Sequence, residues 1–507
     1  MRPSVAVAST SRLAADAGAE LARQGGNGVD CAIGAALVSM STEPGVCGLG
    51  SGGFVTLWRG GSDPITLDGY AAVPGLGLPA EALGRGGVDV LIPYGGGVRS
   101  IVGPGSVAVP GGLAALGQAS ARFGALPWRE LLLPVIEITA GGFPLPQACH
   151  QYLIHSADCV FGQDRSGWEC LHDDGSLKPV GAPVRVPHLA DSLRRLAEAG
   201  ADDFYRGELG ERIADHVRGG GGTLTRQDML EYRPLTRKAM RTPIGRWEVA
   251  TNPPPAIGGV VLSAMLKLMT GEHPSLPASP VARQVQVQNL VLGFRHRRLN
   301  HSTELEEDLA HLMRAVNEDF LGLLEAPSTV HTSAVDSGGL ACAITLSTGY
   351  GSGVMPTGTG IWLNNCLGEL ELNPLGLARP APGERLPSNM APTVARDENG
   401  SALAIGSPGA DRITTALAQV LYQHMFEGRS LEEAVASPRM HLEYSDGRAV
   451  LAHEPGIEIP AGAPTPRPFP GRSMYFGGVG AARFDPALGA QAIADPRRTG
   501  GTRVVTA

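Results

Sequence analysis

Two β-branched segments separated by a short glycine turn constrain the fold of this 507-residue chain most strongly. Residues 330–336 read VHTSAVD, and residues 340–346 read LACAITL. Valine, isoleucine and threonine favour extended strands, and the intervening Ser337-Gly338-Gly339 supplies the backbone freedom that a tight reversal needs. The sequence therefore predicts a β-hairpin, with Thr329 at the head of its first strand.

Thr329 has a specific chemical capacity that depends on one peptide bond. If the chain is cut between Ser328 and Thr329, the threonine hydroxyl becomes a nucleophile and its new α-amino group becomes the base. An α-amino group with an ordinary pKa of about 8 accepts that proton without help from a histidine. In an uncut chain, Thr329 is an ordinary strand-initiating residue, and these residues alone leave both interpretations open.

The composition excludes several classes of protein. The net charge of −8 gives no electrostatic basis for binding nucleic acid or an anionic membrane. The chain has no run of about 18 apolar residues, which a transmembrane helix needs, and its first residues, MRPSVAV, lack a signal-peptide core. The seven cysteines form no CxxC pair and no metal-ligand spacing with histidines. We therefore expect a cytoplasmic chain without a metal, a cofactor or a disulfide framework.

Helical and extended patterns alternate along the chain without an internal repeat. Apolar periodicity predicts helices over 11–40 (interrupted at 24–28), 128–140, 189–198, 207–217, 260–269, 283–325 and 412–437. Residues 54–58 are expected to form a strand, and residues 60–110, which are rich in glycine and proline, are expected to be mainly loop.

A series of short motifs resembles the γ-glutamyltranspeptidase family of N-terminal-nucleophile hydrolases, in family order over most of the chain. They are QGGNGVD at 24–30, GLGSGG at 48–53, VPGG at 109–112, FYRG at 204–207, PPPAIGG at 253–259, TVHTSAVD at 329–336, IWLNN at 361–365, PSNM at 387–390, GSPG at 406–409 and DPR at 495–497. The resemblance implies an α+β fold, a four-layer αββα sandwich.

The resemblance also implies a precursor that cuts itself before Thr329. The large piece would span 1–328 and the small piece 329–507, and the two pieces would associate as one intertwined body. Whether two such bodies form a homodimer stays open.

Residue by residue, the family pattern implies roles for Thr329 and the residues around it. Thr329 aligns with the nucleophile and Thr345 with the threonine that hydrogen-bonds it. Gly409 and Ala410 align with two glycines whose backbone N–H groups form the oxyanion hole. Alanine at 410 departs from the family, yet it retains a backbone donor. His331 is expected to be structural rather than a general base.

The substrate-binding positions match the family less well. Asn365, Glu369, Ser388 and Asn389 align with residues that hold the amino and carboxylate groups of a γ-glutamyl substrate. Each is equally common as an ordinary structural polar residue. Cys366 replaces a glutamine of the family and offers a weak hydrogen-bonding group in its place.

The family arginine that clamps the substrate α-carboxylate is missing from residues 67–79, where its position falls near Pro79. A bidentate arginine–carboxylate contact is hard to replace with another side chain. Arg85 or Arg99 would have to substitute from a neighbouring loop. Strict γ-glutamyl specificity is therefore not expected.

Three hypotheses follow from the sequence. The first is a self-processing amide hydrolase or acyltransferase that forms an ester on Thr329, with a small-molecule amide as donor and water or an amine as acceptor. A γ-glutamyl amide is the default donor. The second keeps this machinery for another acyl group, as in an acylase or a tailoring enzyme. The third is an unprocessed, non-catalytic homologue that acts as a binding or scaffold protein.

Overall fold

The computed structural model describes residues 4–93, 97–299, 302, 304–317, 330–374, 376–377, 381–445 and 448–506. The predicted cleavage site, Ser328 and Thr329, lies outside the described residues. Among the residues described, no helix combines the length and apolar character that crossing a membrane requires.

Strands and helices alternate along the described chain. The strands are β1 Ser4–Ser9, β2 Gly52–Trp58, β3 Ile65–Gly69, β4 Val88–Ile92, β5 Val98–Val102, β6 Phe143–Pro144, β7 His172–Asp173, β8 Ser176–Leu177, β9 Pro183–Val184, β10 Leu235–Lys238, β11 Met240–Ile244, β12 Trp247–Thr251, β13 Val330–Asp336, β14 Ala341–Ser347, β15 Thr393–Asp397, β16 Ala402–Gly406, β17 Met440–Ser445, β18 Arg448–His453, β19 Thr465–Pro468, β20 Gly480–Asp485, β21 Gly489–Ala494 and β22 Gly501–Thr506. The helices are α1 Arg12–Arg23, α2 Gly28–Thr42, α3 Gly112–Phe123, α4 Trp128–Gly141, α5 Gln147–Ser156, α6 Arg165–Leu171, α7 Leu189–Ala199, α8 Asp203–Arg206, α9 Glu208–Gly219, α10 Arg226–Glu231, α11 Ile257–Thr270, α12 Pro280–Arg297, α13 Leu305–Asn317, α14 Arg412–Leu421 and α15 Leu431–Ala436.

Two antiparallel sheets carry the fold. Within the described residues, the first sheet has seven strands in the order β10-β3-β2-β14-β13-β1-β22. The second has six, in the order β11-β12-β15-β16-β20-β21. The hairpin β13–β14, predicted from its sequence, is confirmed and occupies the middle of the first sheet. The expectation that 60–110 is mainly loop was wrong for β3, which pairs with β2 in this sheet.

Alternation of large and small side chains along the strands produces four layers. In β14, Ile344 faces a core shared with the helices α1–α4, whereas Ala343 faces the second sheet. In β16, Ile405 faces a core shared with α11–α14, whereas Ala404 faces the first sheet. The alanine-rich layer allows the sheets to approach closely, and the larger side chains are covered by helices on the outer faces. The predicted αββα sandwich is confirmed.

The first sheet combines strands from both sides of residue 329. β13 is paired with β1 on one edge and with β14 on the other, and β14 is paired with β2. The division into pieces 1–328 and 329–507 stays a prediction.

The DPR motif at 495–497 lies in a buried ion network. Asp495 lies 2.6 Å from the Arg439 guanidinium and 3.2 Å from that of Arg497, and Arg497 also pairs with Glu454. Burial alone would raise the pKa of Asp495, but the charges of Arg439 and Arg497 hold it below its ordinary value. The motif therefore joins β17, the segment after β18 and the end of β21.

We expect Asp495→Asn to reduce the free energy of unfolding by about 3–5 kcal/mol, because it leaves the buried Arg439 guanidinium without its carboxylate partner and removes one of the two carboxylates that pair with Arg497. The matched control is Asp89→Asn, which breaks an exposed pair with Arg99 and should leave the melting temperature nearly unchanged. Thermal denaturation followed by circular dichroism measures both. Equal effects of the two substitutions would contradict this account of the motif.

Candidate active site

The candidate site lies at the end of the hairpin where β13 begins and β14 ends. Val330, the first described residue after the predicted nucleophile, pairs with Leu346, and His331 pairs with Thr345. Both Thr345 and His331 are buried. The loops around residues 365–373, 388 and 409 supply the other residues that the sequence predicts for the site.

A chain of buried hydrogen bonds fixes the orientation of the Thr345 hydroxyl. Ser333 donates its hydroxyl hydrogen to the Gly480 carbonyl at 3.2 Å, so it accepts from His331 Nε2, which lies 2.6 Å away. His331 Nδ1 is then the acceptor for the Thr345 hydroxyl at 2.8 Å. The Thr345 hydroxyl therefore donates its hydrogen bond to His331, and its oxygen can still accept a hydrogen bond from another donor.

His331 is neutral over the physiological pH range. Burial lowers the pKa of its imidazole to about 3, because a charged ring in this environment would lose its hydration. A Cβ atom at Gly406 would lie 2.3 Å from the ring, so glycine at 406 leaves the space that His331 occupies. The histidine is thus a fixed hydrogen-bonding group rather than a general base, in agreement with the sequence-based expectation.

This lowered pKa predicts a pH-dependent stability. Between pH 6.5 and about 3 the unfolded chain binds a proton at His331 that the folded chain does not, so the free energy of unfolding falls as the pH falls through this range. In His331→Asn this titration is absent. The melting temperature of the unsubstituted protein should therefore drop more steeply than that of the variant between pH 6.5 and about 4.5. Parallel slopes in a pH series of thermal melts would contradict the buried neutral imidazole.

Gly409 and Ala410 form a buried turn directly before helix α14. Both have left-handed backbone conformations, with φ of 125° at Gly409 and 65° at Ala410. Neither backbone N–H donates a hydrogen bond to any of the described residues. Buried N–H groups without an acceptor are rare, and two consecutive ones beside a helix N-terminus suit a developing negative charge.

The two positions differ in how strictly they require glycine. A Cβ at Gly409 would lie 2.8 Å from the Gly477 Cα, whereas Ala410 fits its buried position and bears only the cost of its left-handed backbone. That cost is about 1–2 kcal/mol for an L-residue.

We expect Ala410→Gly to raise the melting temperature slightly, since about 0.5–1 kcal/mol remains after the extra flexibility of glycine in the unfolded chain is subtracted. Gly409→Ala should lower it, because the added methyl group displaces the turn from Gly477. Thermal melts of both variants, made in parallel, provide the measurement. A stable Gly409→Ala variant would contradict the close approach at this turn.

Sequence reasoning missed the charged residues behind this turn. Asp411 lies 3.1 Å from His441 Nε2 and 2.7 Å from the Arg412 guanidinium. Burial would raise the pKa of Asp411, but the electrostatic interactions with His441 and Arg412, and a smaller one with the buried Arg295, hold it well below its ordinary value. The sequence did contain one indication of this residue, because Asp411 directly follows Ala410 of the predicted oxyanion hole.

Asn365 uses its amide to hold neighbouring loops together. Its Nδ2 donates to Ser100 Oγ at 2.9 Å and to the Ile101 carbonyl at 3.1 Å. Its Oδ1 accepts from the Tyr350 backbone N–H at 2.8 Å. Asn365 therefore positions the loop, and its Oδ1 keeps only one lone pair for a ligand.

Glu369 lies in a small group of buried polar side chains. The nearby Cys366 thiol and Tyr70 hydroxyl interact favourably with the carboxylate and lower its pKa, and the Ser388 hydroxyl acts in the same way on Tyr70. Glu369 Oε1 has no hydrogen-bond partner among the residues that the structure describes. Burial and the neighbouring charge of Glu371 raise the pKa of Glu369 well above its ordinary value. The structure thus brings Glu369 and Ser388 together through Tyr70, which the sequence analysis did not single out.

Asn389 is buried, and neither its Nδ2 nor its Oδ1 has a partner in the described structure. The backbone of the adjacent Ser388 is fixed by two hydrogen bonds, because its carbonyl accepts from the backbone N–H groups of Ile257 and Gly258 at 2.8 and 3.0 Å. The PPPAIGG motif therefore fixes the backbone of the PSNM motif. Buried amide atoms without partners are unusual in native proteins and suit a ligand.

Glu371 is a second acidic residue of this region that sequence reasoning overlooked, although it follows Glu369 by two positions. It accepts a hydrogen bond from the Tyr350 hydroxyl. Burial raises the pKa of Glu371, while the nearby Arg295 charge opposes this shift. Glu371 also lines a cavity of about 640 Å³ together with Ile257, Leu386 and other residues.

Neither arginine that the sequence offered as a carboxylate clamp contacts these residues. Arg99 is 71% exposed and pairs with Asp89 at 2.7 Å, and Arg85 is exposed. Among the described residues, no arginine donates a hydrogen bond to Glu369, Ser388 or Asn389. Within the ranges that the structure describes, no group of three or more histidine, cysteine, aspartate or glutamate side chains is arranged to hold a metal ion.

Comparisons with known proteins identify the family and the fold of this chain. A family model described as Gamma-glutamyltranspeptidase matches residues 14–505. The chain is 28% identical to the glutathione hydrolase proenzyme of Pseudomonas aeruginosa, covering 99% of this chain and 94% of that protein. It is 29% identical to the Acylase ACY 1 proenzyme of Pseudomonas sp. (strain SE83), covering 85% and 81% of the two chains. The crystal structure of cephalosporin acylase from Bacillus halodurans shares the fold, with a TM-score of 0.78 at 24% identity over 99% of this chain and 96% of that one.

Proposed function

This chain belongs to the γ-glutamyltranspeptidase family, and we propose that it is a self-processing amide hydrolase or acyltransferase whose nucleophile is Thr329. The observation that carries the proposal is the pair of buried backbone N–H groups at Gly409 and Ala410, which lack acceptors among the described residues. The proenzyme names of two relatives support the processing step.

The Thr345 hydroxyl supports the same proposal. Because Thr345 gives its hydrogen to His331, its oxygen is left to accept one from the nucleophile. A hydrogen bond accepted in this way holds the Thr329 hydroxyl in one orientation and increases electron density on its oxygen. With its pKa lowered to about 3, the His331 imidazole is too weak a base to take this proton, so the proposed base is the α-amino group of Thr329.

The proposed reaction proceeds through an ester. Thr329 Oγ attacks the carbonyl carbon of the donor amide while its hydroxyl proton passes to the α-amino group. The N–H groups of Gly409 and Ala410 stabilise the oxyanion. When the C–N bond breaks, the α-ammonium protonates the leaving amine. Water or a second amine then attacks the ester and restores the Thr329 hydroxyl.

An acylase-type donor is a second candidate. Two observations favour it: Cys366 stands where the family has a glutamine, and no described arginine reaches Ser388 or Asn389. This candidate shares the nucleophile and the oxyanion turn with the first, and differs only in the acyl group.

We expect purified protein to run on a denaturing gel as two pieces corresponding to residues 1–328 and 329–507, and Thr329→Ala to run as one. Thr345→Val should slow processing by roughly tenfold to a hundredfold, the effect of losing one hydrogen bond to a charged or developing-charge group. A time course of processing measures both. Glu398→Gln, on the exposed turn between β15 and β16, is the control and should process normally.

Two results would refute the proposal. One is a Thr329→Ala chain that is cut as fast as the unsubstituted chain, because Thr329 would then not be the nucleophile of processing. The other is an unsubstituted chain that stays intact and inert during long incubation, which would favour a binding or scaffold protein.

A further inference from the structure

We propose that the acyl donor carries an ammonium group but no α-carboxylate, as in a γ-aminobutyryl amide. This inference rests on the proposed function and narrows its substrate class. It follows from the charges of the described residues around Glu369, Ser388 and Asn389.

Glu369 is the group that would receive the ammonium. Glu369 is 2% exposed, its Oε1 has no partner among the described residues, and its neighbours Tyr70 and Cys366 are neutral groups. Burying a carboxylate without a cation costs free energy, because the charge loses its hydration. The raised pKa of Glu369 reflects the same loss of hydration. A substrate ammonium beside Oε1 would supply the missing positive charge and one further hydrogen bond.

The cations of this region are already matched to other carboxylates. The charges of Arg295 and Arg412 both act on Asp411, and Arg295 also acts on Glu371. These two guanidinium groups therefore balance two carboxylates. Glu369 is the third carboxylate, and among the described residues it has no cation as a partner.

Arg237 and Arg385, which line the adjoining cavity of about 640 Å³, share one carboxylate, that of Asp68. Arg237 Nε lies 2.8 Å from Asp68, and Arg385 Nε lies 3.8 Å from the same buried carboxylate. Arg385 also donates to the Arg233 carbonyl and lies over the Tyr232 ring. Both guanidinium groups therefore lie beside the Asp68 carboxylate, and that of Arg385 also lies against Tyr232.

Where a substrate carboxylate would be expected, the described residues offer only neutral groups. Ser388 and the unpartnered Asn389 amide provide hydroxyl and amide hydrogen bonds but no charge. A carboxylate placed there would lose its hydration without gaining an ion pair. A donor that lacks this carboxylate avoids the loss, and one that keeps the ammonium still satisfies Glu369.

Three p-nitroanilides that differ only in these charges test the inference. The γ-glutamyl compound has both the ammonium and the carboxylate, the γ-aminobutyryl compound has only the ammonium, and the glutaryl compound has only the carboxylate. We expect kcat/KM to be at least about tenfold higher for the γ-aminobutyryl compound than for either of the others.

Two variants assign the preference to its residue. Glu369→Gln keeps the shape and removes the charge, so it should reduce kcat/KM for the γ-aminobutyryl compound at least about tenfold and leave that for the glutaryl compound unchanged or higher. Glu398→Gln should preserve the order of the three compounds. Processing into two pieces, followed on a gel, shows that the Glu369→Gln variant has folded.

The outcomes separate this inference from the proposed function. Three results with a processed enzyme would overturn the inference and leave the proposed function standing. The enzyme could prefer the γ-glutamyl or the glutaryl compound, it could cleave none of the three, or its preference for the γ-aminobutyryl compound could survive Glu369→Gln. A γ-glutamyl preference lost in Arg379→Gln would assign the carboxylate clamp to Arg379, which lies outside the described residues, and would also overturn it. An intact chain that cleaves none of the three overturns the proposed function, and the inference with it.

Discussion

The antiparallel pairing of β13 with β14 is the constraint on which the rest of the structure depends. Their register places His331 opposite Thr345, and the alternation of side chains sends Ile344 towards the helices and Ala343 towards the second sheet. A slip of one residue would exchange these faces along the whole strand. It would also separate Thr345 from His331. Fold and site are therefore fixed by the same ladder of hydrogen bonds.

Burial determines how each group of the site can act. It lowers the pKa of His331 to about 3, so the imidazole is a weak base and serves as a hydrogen-bond acceptor for Thr345. The buried N–H groups of Gly409 and Ala410 have no acceptor among the described residues, and such a site would stabilise a negative oxygen. The buried Glu369 has no cation beside it in the described structure. The same low-polarity environment thus favours an oxyanion in one place and a substrate cation in another.

Much of the fold was predictable from short-range patterns. The hairpin followed from β-branched residues around Ser337-Gly338-Gly339, and the helices at α4, α7 and α9 followed from apolar periodicity. β3 was missed because the surrounding glycines and prolines concealed a five-residue strand. The αββα layering came from the family resemblance, since no local pattern states which faces meet.

The candidate site was predictable only where a motif marked it. The motifs indicated Thr345 and the Gly409 turn, and the structure adds the hydrogen bond between Thr345 and His331. The catalytic roles of these residues stay predictions. Tyr70 and Asp411 were missed, because their importance lies in contacts between segments far apart in sequence. Tyr70 meets Glu369 across about three hundred residues, and no spacing rule in the chain predicts that contact.

N-terminal sequencing of the smaller piece of the purified protein tests the central claim most directly. The account predicts that this piece begins with Thr329 and reads Thr329-Val330-His331, because a free α-amino group at this residue is both the product of processing and the base of the reaction. A chain that remains uncut, or a piece that begins at any other residue, would contradict it.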